Sequence, residues 1–294
     1  MKETNDPIAR LRDPNEKRAL IYLILCSIPA CLLAIVWTVA GLGIPLLIVG
    51  LVWLLQRMSE LFAAAYIKTN AVQVSAKQFP ELDAIVQSCA ERLGRSAPDV
   101  YVLQDGVWNA FAMRLAGRRI VVLFSGAVDS ILLKGDLAQL TFVIGHELGH
   151  HYAGHLDLLH RAAEMGGGWC IWVLLWYKRR AELTCDRIGL FCVGDLQPSL
   201  LALANLTVGA QLAGGVRAEE ILSQWAKHKD EFFVRYRTLY STHPPHLMRI
   251  CELARAAREL EIPARESTAG IPPMDLSGSP CLLYTSDAAD DLTR

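Results

Sequence analysis

The chain has 294 residues, enough for one catalytic domain with a sizeable core and appended segments. Its net charge of −1 provides no basic field of the kind that holds nucleic acid, so no nucleic-acid partner is expected. Hydrophobic residues reach 52%, high for a purely water-soluble chain, and much of the excess lies near the N-terminus, which points to a lipid bilayer.

Residues 1–18 form a polar leader with Lys2, Arg10, Arg12, Lys17 and Arg18, read as a cytoplasmic N-terminal tail. From Ala19 to Leu55 there is no Asp, Glu, Lys or Arg. A straight helix of that length would run about 55 Å, well beyond the ~30 Å hydrocarbon core. The turn-prone cluster Gly41-Leu42-Gly43-Ile44-Pro45 interrupts it. The segment 19–57 is therefore read as a transmembrane hairpin of two spans, Ala19–Ala40 and Gly43–Arg57, with Arg57 snorkelling to the interface. A cleaved signal peptide fits poorly, because the apolar run is too long and its leader carries mixed charge. Basic residues before the hairpin and none at its turn place both ends, and the catalytic domain, in the cytoplasm. A single span would put that domain on the opposite side.

The remainder, 58–275, reads as one domain. Glu81–Leu93 has helical apolar spacing and stops at Gly94. Val100–Leu103 and Ile120–Phe124 read as strands, with Trp108–Met113 a third extended segment between them. Asp136 can cap a helix that runs through His150. Gly166–Tyr177, with Trp169, Trp172 and Trp176, is too short for an ordinary span; a buried core helix and a surface resting at the membrane interface both remain open. Further helices are expected at Glu182–Val193, Ser199–Leu212, Ala218–His228 and Pro244–Leu260. The fold class is α+β, mainly helical with a small β-sheet. Eight scattered cysteines form no close pair and read as reduced, mostly buried thiols, which agrees with a cytoplasmic domain.

The central motif is His146-Glu147-Leu148-Gly149-His150. Residues four apart lie on one helix face, so both imidazoles can reach one ion while Glu147 meets a water beside it. A catalytic zinc needs three protein ligands and an open position. A third histidine six residues after His150 is excluded, since Leu156 stands there; His155 is off by one and His151 points elsewhere. Glu182 is the better candidate, with Asp186 four residues on, able to accept the outer N–H of a ligating histidine. Zinc is favoured by ligand type.

Four ordered elements resemble the HtpX-type zinc metallopeptidases, membrane-associated gluzincins related to the CAAX prenyl proteases. They are Asn109-Ala110-Phe111-Ala112, His146–His150 with Gly154-His155, Glu182 and Asp186 followed by Arg187 and Gly189, and Thr242-His243-Pro244-Pro245 leading to Arg249. The resemblance runs from about Tyr66 to Leu260. It implies one Zn2+ held by His146, His150 and Glu182, with Glu147 as base in peptide-bond hydrolysis by a metal-activated water. It also implies that Asn109–Ala112 forms an edge strand that binds an extended peptide or protein substrate. By the same resemblance His243 donates to the oxyanion of the scissile carbonyl, against a simpler reading as a helix-start histidine. Membrane-protein quality control is the role the resemblance suggests. Arg249 reads as a structural ion pair and His155 as a packed histidine. A two-span anchor does not enclose the site, so a chambered, prenyl-specific enzyme is not expected. The rival readings are a non-catalytic, membrane-tethered zinc-binding adaptor and a zinc hydrolase of non-peptide bonds. Finally, residues from Cys281 to Arg294 read as the conceptual translation of a transposon-end sequencing adapter, an artefact excluded from the fold.

Overall fold

A computed structural model describes residues 6–41, 43–107, 109–115, 117–133 and 135–265; Trp108 and the adapter-like residues fall outside them. Helix α1 (Pro7–Leu11) is short, and the Asp6 carboxylate accepts the Ile8 N–H to cap it. Helix α2 (Glu16–Ala40) follows the first apolar run, and Gly43, at φ 84°, turns the chain into α3 (Ile44–Asn70). Glu16–Ala40 and Leu46–Asn70 are both long and apolar enough to cross a membrane. The second helix extends well past the expected Arg57. Beyond Leu55 the sequence turns polar but contains neither Gly nor Pro before Ala71, so composition changes while helix propensity persists. Arg57 pairs with Glu60 at 3.0 Å, one turn along the same helix.

Strand β1 (Ala71–Gln73) precedes α4 (Pro80–Arg92), which closes at Gly94 in the left-handed region. Strands β2 (Asp99–Leu103), β3 (Ala110–Leu115) and β4 (Arg118–Phe124) complete a sheet of order β1-β2-β4-β3. Only the β2–β4 pair is parallel. The expected strands all form, and β3 lies at an edge. Alternation sorts β4 between two cores: Val121 and Leu123 face α4 and the helical body, while Ile120 and Val122 pack against Ala64 and Ile67 of α3. A strand buried on both faces must be apolar throughout, which explains the run Ile120–Phe124.

The helical body begins with α5 (Ser125–Leu132) and α6 (Leu137–Tyr152). Asp136 occupies the cap position of α6, yet its carboxylate accepts the Gln139 side-chain amide at 2.8 Å rather than a backbone N–H. Next come α7 (Leu158–Gly167) and α8 (Ile171–Val193), which joins the tryptophan-rich segment and the Glu182–Val193 helix into one rod. The helix expected at Ser199–Leu212 is split into α9 (Leu196–Val208) and α10 (Ala210–Ala213), because Gly209 stands at φ 83°, ψ 158°. The described residues close with α11 (Ala218–His228), α12 (Phe232–Leu239) and α13 (His246–Glu259). Pro245, at φ −52°, ψ 139°, is the N-cap of α13, which therefore starts two residues later than expected. No disulfide joins the described cysteines, and Cys89, Cys185, Cys192 and Cys251 are buried.

Helices α6 and α8 cross at close range. A Cβ on Gly145 would lie 2.9 Å from the Cys192 Cβ and 3.0 Å from the Gly189 Cα; one on Gly189 would lie 2.8 Å from the Phe142 carbonyl oxygen. Gly145→Ala should therefore destabilise the fold by about 1–3 kcal/mol through overpacking, outweighing the ~1 kcal/mol helix-propensity gain. A chemical-denaturation midpoint equal to or above the parent's would contradict this close contact.

Candidate metal centre and active site

The first half of the site comes from one face of α6. His146 and His150 are four residues apart and buried or nearly so, with ring centroids 5.2 Å apart. The facing residue on α8 is Glu182, which reaches both rings: Oε2 is 3.5 Å from His146 Nε2, and Oε1 is 3.5 Å from His150 Nε2. These separations exceed ordinary N–H···O bonds of about 2.7–3.2 Å. They match the roughly 3.3 Å between two ligands on a tetrahedral ion bound at about 2.05 Å. Both Nδ1 atoms are engaged elsewhere, which leaves both Nε2 atoms turned toward the carboxylate. The donor set fits a divalent cation such as zinc.

Behind His146, its Nδ1 donates to Asp186 Oδ1 at 2.9 Å. Arg249, expected to form an ion pair, grips the same carboxylate through Nε at 2.8 Å and Nη2 at 2.6 Å. All three groups are buried. Burial acts to raise Asp186, but Arg249 and His146 hold its carboxyl below the usual value. Glu182 is likewise held well below its ordinary range by His146, His150 and Arg249 against the cost of burial. Although burial opposes it, the Asp186 and Glu182 carboxylates push His146 up to about 10. This shows how strongly the pocket draws positive charge to that ring. His150 lacks a direct carboxylate behind it; burial, with neighbouring histidines, brings it down to about 3. A neutral imidazole is the form that binds a metal.

Cys185 is a competing donor, since its thiol lies within 4.8 Å of ring nitrogens of both histidines. Its Sγ, however, is 3.6 Å from His155 Nδ1, the nitrogen that faces His150 Nδ1. Burial and the nearby carboxylates raise the thiol well above its usual value, whereas ligation needs the thiolate. Glu182 is the better third donor.

Glu147 is buried beside this group. Burial pushes it up to about 7, aided by Glu182 and opposed by His146, Arg249 and the Ala112 N–H. That last contact ties α6 to the sheet edge. The Asn109 carbonyl accepts the Phe124 N–H at 3.1 Å, so the register turns the N–H and C=O of Ala110, Ala112 and Arg114 away from β4, along the free edge. Asn109 uses its side chain to accept the Ala110 N–H at 2.9 Å. Phe111 points away, into the core shared with α3, edge-on to Phe124. Of Asn109–Ala112, backbone rather than side chains therefore faces the site.

His243, 63% exposed, brings Nε2 to 3.5 Å from Glu182 Oε1, and the Thr242 hydroxyl holds its Nδ1 at 2.9 Å. His151 binds the Ile120 carbonyl at 3.0 Å and takes no part. His155 is buried, with Nδ1 3.2 Å from His150 Nδ1. Sequence reasoning missed its further partner, Glu16. The leader folds onto α8: Arg187 donates to the Leu11 carbonyl at 3.0 Å and the Asp13 N–H donates to Thr184 at 2.9 Å. The signal available was an acid three residues before the start of a charge-free run.

The family model described as peptidase family M48 matches residues 76–167 and 168–257. A plastoglobule-localized metallopeptidase 48 of Arabidopsis thaliana is 28% identical over 65% of this chain, which covers 61% of that protein. A Protease HtpX homolog of Thermococcus kodakarensis is 28% identical over 66% of this chain and 79% of its own. Another, of Pyrococcus abyssi, is 26% identical over 82% and 96% respectively. No solved structure gives a significant match.

Arg249→Leu leaves the Asp186 carboxylate buried without its cation, a change that typically costs about 3–5 kcal/mol. Denaturant titration of the metal-free protein is expected to read that loss. A change under about 1 kcal/mol would contradict the buried pairing.

Proposed function

Since the chain belongs to peptidase family M48 and is thus a metallopeptidase, we propose that it is a membrane-anchored zinc endopeptidase with His146, His150 and Glu182 as ligands. One observation carries this reading: two imidazole Nε2 atoms sit 3.5 Å from the two oxygens of one carboxylate, with a buried acid alongside. A zinc ion held by these three residues would supply polarisation of a peptide carbonyl and a lowered pKa for water.

The chain's own groups supply the rest. Glu147, poised near neutrality by burial, takes a proton from the water that attacks the carbonyl carbon. The C–N bond then breaks, and Glu147 passes that proton to the departing amine nitrogen. His243 donates from Nε2 to the oxygen on which charge develops, its ring oriented by Thr242. Carbonyls of Ala110 and Ala112 accept N–H groups of an extended peptide along the β3 edge, which favours peptide over other hydrolysable bonds. The intact Glu147 argues against the non-catalytic adaptor, which has no use for a base.

The anchor is the α2–α3 hairpin, which exposes Leu32, Leu33, Val36, Leu47, Leu51 and Leu55. Trp169 and Trp172 are also exposed, and the Trp169 indole donates to the Cys26 carbonyl of α2 at 2.8 Å. This favours the interfacial reading of the tryptophan-rich segment. Glu182 lies ten residues along α8 from Trp172, about 15 Å. That distance suits peptide segments emerging near the bilayer, and damaged or misassembled membrane proteins are the substrates we propose. A cytoplasmic catalytic domain follows from the charge distribution around the hairpin.

Glu147→Gln should keep one zinc per chain and lose about 10²–10⁴-fold in casein hydrolysis; digestion at the parent's rate would refute the mechanism. Proteolysis should rise with pH as Glu147 deprotonates. The acid limb is expected at or below about pH 7, because a bound dication only lowers a neighbouring carboxyl. An acid limb with its midpoint clearly above pH 7 would contradict Glu147 as base. Chelator should abolish activity and zinc restore it.

A further inference from the structure

The two histidines of the metal centre are supported differently. His146 Nδ1 reaches a carboxylate directly, Asp186, which Arg249 holds. His150 Nδ1 instead meets another imidazole, His155, at 3.2 Å. On its far side His155 Nε2 lies 3.3 Å from Glu16 Oε1. Glu16 is fully buried at the first turn of α2, 139 residues away in sequence. Arg12 pairs with Glu16 Oε1 and donates its other arm to the Ala153 carbonyl, while the Thr184 hydroxyl donates to Oε2.

The hydrogens can be placed by elimination. A carboxylate only accepts, so His155 carries its proton on Nε2 and leaves Nδ1 as a lone pair. The single hydrogen between the two Nδ1 atoms then belongs to His150, whose Nε2 is left bare and aimed at Glu182. With His155 neutral, reversing one of these assignments would set two N–H groups, or two lone pairs, against each other, and the Cys185 thiol, 3.6 Å from His155 Nδ1, is a second donor to the same lone pair. We propose that Glu16 is a positioning residue for the metal, acting through His155 to fix the tautomer of His150. The inference rests on the metallopeptidase reading above. Its consequence is that metal affinity depends on Glu16 staying seated against His155, which couples the foot of α2 to the catalytic centre.

The test uses full-length protein in detergent and reads zinc affinity by chelator competition, apart from any activity. Glu16→Gln keeps shape and size but can present an amide N–H to His155, inverting the relay. It should weaken zinc binding about 10-fold or more, within the range found for outer partners of ligating histidines. His155→Gln should weaken binding comparably, and the double variant should be no worse than the weaker-binding single variant, since both act on one path. Arg95→Ala, which breaks the exposed Arg95–Asp6 pair of the same docked leader, should leave affinity unchanged. Unchanged affinity in Glu16→Gln, additive losses in the double variant, or an equal loss in Arg95→Ala would each overturn the proposal. Should Glu16→Gln not fold, nitrogen-15 NMR of histidine-labelled parent decides. A bare Nδ1 on zinc-loaded His155 supports the relay, and a protonated one overturns it. If instead the parent holds no zinc, or Glu182→Gln holds it as tightly as the parent, the metal reading itself fails. A parent that requires Glu182 but ignores Glu16 removes only the relay.

Discussion

The close approach of α6 to α8 governs the geometry of the catalytic centre. His146 and His150 belong to one helix and Glu182 to the other, so the separations among these proposed ligands depend on how near the two backbones come. Side chains at Gly145, Gly149 and Gly189 would force them apart, and the available gaps of about 3 Å admit no Cβ without movement. Packing of this density leaves few alternative arrangements, which is what a site needing sub-ångström placement requires. The sheet contributes at one remove, by setting its β3 edge against Glu147.

Around this crossing the protein buries an unusual amount of charge. Glu16, Glu147, Glu182, Asp186 and Arg249 are all largely withdrawn from water. Each buried ion carries a desolvation penalty of several kcal/mol, offset only by well-formed partners. Those partners are specific: Arg249 grips Asp186 with two nitrogens, and Arg12 stands beside Glu16. Both histidines are thus backed by a carboxylate that an arginine neutralises, one directly and one through His155. A dication bound as proposed would add attraction for Glu182 and Glu147, so metal would stabilise the site and the fold around it together.

Much of this was legible from residue spacing. The four-residue interval between His146 and His150, and again between Glu182 and Asp186, places each pair on one helix face whatever the tertiary fold. The strands were readable because β4 is apolar throughout and β3 is bounded by turn residues. What escaped depends on contacts distant in sequence or on competing local partners. Glu16 looks like part of a solvated leader until the leader folds onto α8. The second helix outlasts its apolar run because hydropathy and helix propensity are separate properties. Asp136 fails to cap because Gln139 captures its carboxylate first. Phe111 falls within the expected substrate segment, yet strand alternation sends its ring to the opposite core.

The unbroken path of α3 has a mechanical consequence. Its apolar half ends near Leu55, and nine residues on, Ala64 lies against the outer face of the sheet. No proline, glycine or loop intervenes, so for a bilayer-anchored enzyme the join behaves as a strut of about 13 Å rather than a tether. With the anchor proposed above, a strut would forbid swivelling: the cleft would keep one height and one heading relative to the lipid, and a polypeptide would have to be delivered to that station. Selection among clients would then be a matter of how far a loosened segment protrudes as much as of its side chains.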